Sequence, residues 1–318
     1  MQKAVANRLG ERLHLQHGPI DLIIGVEGPA AVVEAAFARA YDKFCDVLDG
    51  LVAELPRLRR PLTSKNSIEY NNFNGKVAQR MVMAIQPHCG RFTGDDFITP
   101  MAAVAGSVAD HILAAIISDL VMPSTNGLAQ LPSAPVMGDG ITRAYVNNGG
   151  DIAVYLGPGA IFDIGIADDR DVGLTDFMQM INHGQGGKLP LDGRVRLQHG
   201  DGVGGIATSG WRGRSLSLGI ADMVTVLAIN AAAADVAATL IANAINIDTA
   251  KIDRLPACEI DPDSDLGHRL ITQHVADLTM AEIDTALGKG ASLANMFLDE
   301  GKIIAAYGRL QGQGFVVS

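Results

Sequence analysis

The sequence predicts an α+β fold in which a largely antiparallel sheet packs against helices. Three observations support this prediction. Short β-type runs separated by glycine-containing turns fill the middle of the chain, Ala-rich segments with helical spacing flank them, and 48% of the 318 residues are hydrophobic, enough for a sizeable core. We expect a single domain over residues 1–318. Residues 246–279 contain two prolines and several acidic side chains, and they predict a partly helical surface insertion.

The first predicted elements are a hairpin and two helices. Two β-type runs, Glu11–His17 and Ile20–Val26, flank a Gly-Pro turn, which is typical of a hairpin. Apolar side chains then recur near the helical period from Pro29 to Leu55, before Pro56, and predict one long amphipathic helix. A shorter helix is predicted over Gly75–Ile85.

The middle of the chain predicts a sheet built from meanders. Its β-type runs share a short length, a high content of apolar residues and turns that contain glycine. They are Ile141–Val146, Ile152–Leu156, Ile161–Ile166, Val195–His199, Gly205–Ala207 and Met223–Leu227. A final strand pair is predicted over Ile303–Tyr307 and Gly314–Val317.

Three more helices are predicted around this sheet. The first is Met101–Val121, for which Thr99 is a suitable N-cap and Pro100 suits the first helical position. Ala231–Ile245 has the composition of a buried helix, and Ala281–Asp299 is the last helix of the chain.

Charge and composition exclude two classes of partner. The 35 acidic residues outnumber the 25 Lys and Arg residues, so the basic surface that nucleic acids require is missing. The most apolar stretches, 101–122 and 223–245, contain aspartate, and a charge at the centre of a membrane span costs about 2.5–3.5 kcal/mol. No secretory signal is evident, and the three cysteines lack metal-site spacing. We therefore expect a reduced, cytoplasmic protein that binds neither nucleic acid nor membrane.

Four segments concentrate glycine, small polar residues and carboxylates between apolar runs. They are Thr99–Asp110, Val146–Asp151, Gly205–Gly210 and Ala234–Thr239. Each lies at the end of a predicted strand or in the first turns of a predicted helix, where backbone N–H groups can face an anion. Together they predict a glycine-rich site for a phosphorylated or carboxylated small molecule. Turn chemistry and helix capping are the alternative explanation for any one segment.

Asp235 and Thr239 form a candidate half-site for Mg²⁺. They are four residues apart, so they share one face of a helix and can point their oxygens at one hard cation. Helix capping by Asp235 and a bond from Thr239 to a backbone carbonyl are the alternative reading.

The order of the four segments resembles the ApbE-like superfamily, whose named activity is FAD:protein FMN transferase, and more closely its uncharacterised UPF branch. The resemblance is carried by "PMAAVAGSVAD" at 100–110, "VNNGGDI" at 146–152, "ATSG" at 207–210 with "RSLSLGIADMVTV" at 214–226, and "ADVAAT" at 234–239. It implies an ApbE-like fold, a flavin nucleotide, FAD or FMN, as ligand, and Mg²⁺ beside its phosphates.

The resemblance also implies roles for individual residues. Asp235 and Thr239 match magnesium ligands, and Asp235, Thr208 and Ser209 are candidate catalytic residues. The implied cofactor-binding residues lie in the first three segments and are Gly106, Ser107, Asn148, Gly149, Gly150, Asp151, Thr208, Ser209 and Gly210.

Two departures from the transferase pattern argue against ordinary FMN transfer. Ala105 stands directly before Gly106, where the transferases have a lysine, and the histidine-containing stretch expected after Thr-Ser-Gly is absent. Arg212 and Arg214 are candidates to bind the ligand's negative charge instead, because guanidinium groups bind carboxylate and phosphate in a bidentate manner.

Three functions remain open from the sequence. The first is an enzyme acting on the phosphorylated or carboxylated ligand, and the second is a non-catalytic ligand-binding protein or a delivery protein of sulfur metabolism. The third is a hydrolase of a small organic substrate that uses His183, in a polar glycine-rich loop, as general base. A homodimer is expected because it is the commonest closed assembly. His111 and Cys89 are expected to be interior residues, with a functional histidine and a reactive thiol as the alternatives.

Overall fold

Thirteen strands are present in the part of the chain that the computed structural model describes, residues 3–61, 72–89, 97–118, 140–166, 193–213 and 215–318. They are β1 (Val5–Leu9), β2 (Arg12–His17), β3 (Ile20–Glu27), β4 (Arg143–Asn148), β5 (Asp151–Leu156), β6 (Ile161–Ile166), β7 (Gly193–Gln198), β8 (Gly205–Ser209), β9 (Met223–Ala228), β10 (Ile252–Pro256), β11 (Leu270–Val275), β12 (Ala305–Leu310) and β13 (Gln313–Val317). Nine of them form one antiparallel sheet in the order β1-β2-β3-β4-β5-β8-β9-β12-β13. The pairs β6-β7 and β10-β11 form two small antiparallel sheets.

Seven α-helices accompany these strands within the same residues. They are α1 (Ala30–Phe44), α2 (Val47–Leu58), α3 (Lys76–Ile85), α4 (Val104–Ile116), α5 (Ala231–Ala244), α6 (Ala257–Ile260) and α7 (Met280–Asp299). Short 3₁₀ turns at Gln86–His88 and Pro100–Ala103 follow α3 and precede α4. None of the helices in the described segments combines the length and the apolar character that crossing a bilayer requires.

The two faces of the large sheet pack against different layers. On β3, the buried side chains of Leu22, Ile24 and Val26 alternate with partly exposed ones and face the helices. The opposite face carries a smaller apolar cluster around Val154 and Ile206, which packs against the β6-β7 hairpin. This arrangement confirms the predicted α+β class with a largely antiparallel sheet.

Most predicted strands are confirmed with shifts of one to three residues at their ends. The hairpin β2-β3, the five strands from β4 to β8, strand β9 and the final pair β12-β13 are all present. Strand β1 was not predicted, because its five side chains are all exposed and show no alternation of polarity. Only its pairing with β2 defines it as a strand.

The prediction of one long helix from Pro29 to Leu55 is wrong. The helix is interrupted between Phe44 and Val47, and α2 follows with Val47, Leu51 and Leu58 buried in the core. Pro56 lies inside the last turn of α2, where its missing N–H removes one hydrogen bond without ending the helix.

The helix predicted over Met101–Val121 begins as a 3₁₀ turn and becomes α-helical only at Val104. Thr99 is confirmed as an N-cap, since its hydroxyl oxygen accepts a hydrogen bond from the backbone N–H of Met101 at 3.1 Å. Residues 119–121 of the predicted helix lie outside the described residues.

Residues 246–279 contain more strand than helix. Strands β10 and β11 pair there, and α6 is a single turn. Ile252, Ile271 and Val275 are buried, so this segment also contributes apolar side chains to the interior.

Helices α4 and α5 cross in close contact at Gly106. A Cβ atom at this position would lie 2.3 Å from the carbonyl oxygen of Ala231. Because that neighbour is backbone, it cannot rotate away, and only glycine allows the two helices to approach so closely.

We predict that Gly106→Ala lowers the free energy of unfolding by about 1–3 kcal/mol, because the added methyl group overpacks the helix crossing. Gly288 in α7 is a matched control, since a Cβ atom there meets no atom within 4 Å. Gly288→Ala should raise the free energy of unfolding by about 0.5–1 kcal/mol, as expected for a helix interior. Urea unfolding of both variants would test this, and equal effects of the two substitutions would contradict it.

Candidate functional site

The turn between β4 and β5 depends on two glycines. Gly149 has φ of 68° and Gly150 has φ of 112°, and both values lie in the region that favours glycine. The Gly150 N–H donates to the side-chain oxygen of Asn147 at 2.9 Å. Asn148 and Asp151 form the last residue pair before this turn.

Asn148 connects this turn to the start of α4. It is buried, and its side-chain amide donates to the carbonyl oxygen of Ala105 at 3.1 Å. The structure therefore brings the first and second glycine-rich segments of the sequence into direct contact. Gly106 and Ser107 follow in the same turn of α4, and both are buried.

Helices α4 and α5 cap each other. The carboxylate of Asp110 on α4 accepts hydrogen bonds from the N–H groups of Ala231 and Ala232, each at 3.0 Å, at the start of α5. In return, Oδ2 of Asp235 on α5 accepts from the Gly106 N–H at 3.0 Å, at the start of α4. Each carboxylate thus satisfies N–H groups that have no partner within their own helix and lies at the positive end of a helix dipole.

Acidic side chains are concentrated around Asp235. Burial raises the pKa of Asp235 well above its usual range, and the nearby carboxylate of Asp151 raises it further, against the lowering effect of the Gly106 N–H. Burial also raises the pKa of Asp110, while Arg80, whose Nη1 lies 3.7 Å from Asp110 Oδ2, opposes this shift.

The oxygen ligands available for a cation are therefore a pair of carboxylates rather than a larger cluster. No group of three or more His, Cys, Asp or Glu residues with metal-binding geometry is present among the described residues. Thr239 lies one turn after Asp235 on α5, and both residues are partly exposed between buried neighbours. The predicted Asp235–Thr239 pair is thus accompanied by Asp151 from the β4-β5 turn.

The third segment ends β8 beside the same turn. Ser209 is on the helix face of the sheet with the core residue Ala207, because alternate residues of a strand share a face. Thr208 is on the opposite face, where its hydroxyl oxygen lies 3.0 Å from that of Thr225. The side chain of Ser209, but not that of Thr208, is therefore on the side of Asp235. Gly210 is buried at the end of the strand.

Arg212 forms an ion pair with Asp222, a residue that was not among the predicted site residues. Its Nε lies 3.5 Å from Oδ1 of Asp222, and its guanidinium lies over the ring of Trp211 at 4.7 Å. Asp222 is buried and also accepts a hydrogen bond from the N–H of Gln311. The Arg212 side chain is 38% exposed, so part of its guanidinium faces solvent. An aspartate directly before a predicted strand was the available sequence signal for Asp222.

Two candidate residues lie outside the described residues. They are His183, the proposed general base of the hydrolase hypothesis, and Arg214, the second candidate anion-binding arginine. Their predicted roles stay predictions.

His111 and Cys89 have the surroundings of interior residues. Burial, together with nearby Lys43 and Arg80, lowers the pKa of His111 to about 4, so its imidazole is neutral at neutral pH. The Cys89 thiol donates to the carbonyl oxygen of Ile85 at 3.3 Å, and burial raises its pKa. A thiol with a raised pKa does not fit the reactive-thiol alternative.

A separate cavity of about 690 Å³ lies on the opposite face of the sheet, beneath the β6-β7 hairpin. Its wall includes the edge-to-face ring pair of Tyr145 and Phe162, together with Arg12 and Arg143. Asn147 also borders the cavity, so the β4-β5 turn lies between this cavity and the carboxylate pair.

We predict that Asp235→Asn removes a loss of stability that grows as pH rises. Since the pKa of Asp235 is raised in the folded state, the folded protein retains this proton at a pH where the unfolded chain has lost it, and the contribution of Asp235 to stability falls as pH rises above about 4. Asparagine removes this loss but keeps an oxygen acceptor for the Gly106 N–H. Urea unfolding between about pH 4 and pH 7 would measure the slopes.

Asp284→Asn is the matched control, because Asp284 is exposed on α7 and far from this cluster in the sequence. It removes the same formal charge and should leave the slope unchanged. Parallel curves for the wild type and Asp235→Asn would contradict the prediction.

Sequence comparison with a known protein supports the resemblance noted in the sequence. UPF0280 protein MK0206 of Methanopyrus kandleri is 29% identical over 224 residues, which are 70% of this chain and 69% of that protein.

Two solved structures align over almost the whole chain at low similarity. The ApbE protein of Thermotoga maritima has a TM-score of 0.40 and 11% identity, covering 98% of this chain and 96% of its own. The flavinyl transferase ApbE of Pseudomonas stutzeri, in its apo form, has a TM-score of 0.39 and 14% identity, covering 100% and 95%.

The family assignment rests on sequence rather than on these structural scores. A family model described as "AbpE bacteria" matches residues 3–124 and 129–316, which include the four glycine-rich segments. The chain belongs to the AbpE bacteria family.

Proposed function

We propose that this protein binds a phosphorylated small molecule together with Mg²⁺, and that a flavin nucleotide, FAD or FMN, is the leading candidate ligand. The observation that carries the proposal is the proximity of Asp151 and Asp235, two carboxylates from different segments, at the first turn of α4. The family membership supports the ligand class. We also propose that the protein acts in the cytoplasm as an enzyme and as a homodimer.

The residues at this position fit Mg²⁺. Proteins commonly bind this ion through one or two carboxylates, while phosphate oxygens and water complete the coordination. Asp151 and Asp235 would hold the ion, with the hydroxyl of Thr239 as a further oxygen. Because each carboxylate raises the energy of the other's charged form, a divalent cation between them would relieve this repulsion. When bound, the ion would neutralise phosphate charge in the ligand.

The protein's own groups would position the ligand. The Gly106 N–H orients the Asp235 carboxylate, and the Gly149-Gly150 turn has no side chains, so a ligand can approach its backbone closely. Ser209 places a hydroxyl on the same face of the sheet. Arg212 would supply the positive charge that Ala105 lacks, with Asp222 fixing its orientation.

Non-catalytic binding is the second candidate function. It is favoured by Ala105, which leaves the first turn of α4 without a lysine. It is also favoured by the ion pair between Arg212 and Asp222, which leaves less of the guanidinium available to a ligand. Such a protein would hold or deliver its ligand, including a sulfur-containing one, without turnover. The hydrolase hypothesis depends on His183 and stays a prediction.

We predict that FAD stabilises the protein only when Mg²⁺ is present. A ligand at about 100 times its dissociation constant should stabilise the fold by about 2.7 kcal/mol, which thermal unfolding readily detects. The same measurement with FMN, AMP and inorganic phosphate would show which part of FAD is bound. Chromatography of the incubated mixture for FMN and AMP would distinguish an enzyme from a binding protein.

Asp151→Asn and Asp235→Asn should each abolish the Mg²⁺-dependent shift, because each leaves the ion with a single carboxylate. Asp284→Asn, an exposed change of the same charge on α7, should retain it. The proposal fails if the Asp151 and Asp235 variants respond to Mg²⁺ and FAD like the wild type. It also fails if no phosphorylated compound shifts the unfolding temperature of the wild type.

A further inference from the structure

Cys258 and His268 form a thiol–imidazole pair outside the candidate site. The Cys258 Sγ lies 3.3 Å from Nδ1 of His268, within hydrogen-bond distance for sulfur. His268 is exposed and Cys258 is partly exposed, so a small molecule can reach both. A nucleophile within hydrogen-bond distance of a base is the basic requirement for nucleophilic chemistry in proteins.

The backbone holds the two residues in this position. The Ala257 N–H donates to the carbonyl oxygen of Arg269 at 2.9 Å, and the Cys258 N–H donates to that of Gly267 at 2.8 Å. These two bonds bracket His268 and hold its backbone beside that of Cys258. Gly267 has φ of 57°, which allows the chain to turn at this point.

The other two cysteines have different partners. Cys89 donates to a backbone carbonyl, and burial raises its pKa. Cys45 lies near the hydroxyl of Tyr41 and raises the pKa of that hydroxyl. Among the three thiols of the chain, Cys258 alone has an imidazole nitrogen as its hydrogen-bond partner in the described residues. It therefore has a base to which it can transfer its proton.

We propose that Cys258 is a reactive thiol that exchanges with low-molecular-weight disulfides, with His268 as its general base. The Cys258 thiol transfers its proton to His268 Nδ1, and the resulting thiolate attacks one sulfur of the disulfide. A bond forms between Sγ and that sulfur, the disulfide S–S bond breaks, and the departing thiolate takes the proton from the imidazolium. The products are a mixed disulfide on Cys258 and one free small thiol.

The charges near the pair favour a cationic disulfide. Glu259, Asp261 and Asp263 are exposed on the same short segment as Cys258, and Arg269 follows His268. Because acidic residues predominate, a cationic reagent is attracted to this surface and an anionic one is repelled. Cystamine should therefore react faster than oxidised glutathione.

The experiment measures the modification rate of all three cysteines in the intact protein. Purified protein is incubated with cystamine or oxidised glutathione, and mass spectrometry of peptides gives the rate at each position. We expect Cys258 to react about tenfold faster than Cys45 and Cys89. This comparison needs no variant, since the two other thiols are internal controls.

His268→Ala tests the role of the base. It should slow modification of Cys258 about tenfold and leave Cys45 and Cys89 unchanged. His274→Ala is the matched control, because His274 is also exposed and lies on neighbouring β11. Unchanged thermal unfolding of His268→Ala would show that the loss is local.

Two results would overturn the proposal. One is a Cys258 rate equal to or below that of Cys45 in the wild type, and the other is a Cys258 rate unaffected by His268→Ala. Binding of FAD and Mg²⁺ at the carboxylate pair does not enter either measurement, so the outcome is independent of the proposed function.

Discussion

The mutual capping of α4 and α5 is the interaction on which the rest of the helical layer depends. Asp110 accepts from the first N–H groups of α5, and Asp235 accepts from an N–H in the first turn of α4. Asp110 is buried and Asp235 is partly buried in this arrangement, and Gly106 allows the helices to approach closely enough for it. A single substitution at any of these positions therefore affects two helices.

The same capping creates the chemistry of the candidate site. Helix N-termini attract negative charge, so two aspartates can be kept at the crossing although burial disfavours their charged forms. The β4-β5 turn then places Asp151 near Asp235, and Asn148 holds the turn against α4. The capping role of Asp235 is compatible with its proposed role as a metal ligand. A carboxylate that accepts one N–H bond retains further lone pairs for a cation.

The sheet separates two sets of residues that are adjacent in the sequence. Thr208 and Ser209 point to opposite faces, so only Ser209 shares a face with the helices, while Thr208 pairs with Thr225. The large cavity beneath β6-β7 lies on that second face. A strand end therefore contributes to two different surfaces, and motif membership alone does not assign a side chain to one of them.

The sequence by itself determined the fold class, most strands and the four segments, because hydrophobic periodicity and glycine-containing turns are local properties. Local periodicity did not reveal the break after Phe44 or the exposed strand β1, since the first depends on core packing and the second on pairing with β2. Only the tertiary structure decided that Asp110 and Asp235 cap each other's helices and that Asp222 holds Arg212. The capping contacts join residues 121 to 129 positions apart, and the direction of a side chain across such contacts is set by packing rather than by sequence spacing.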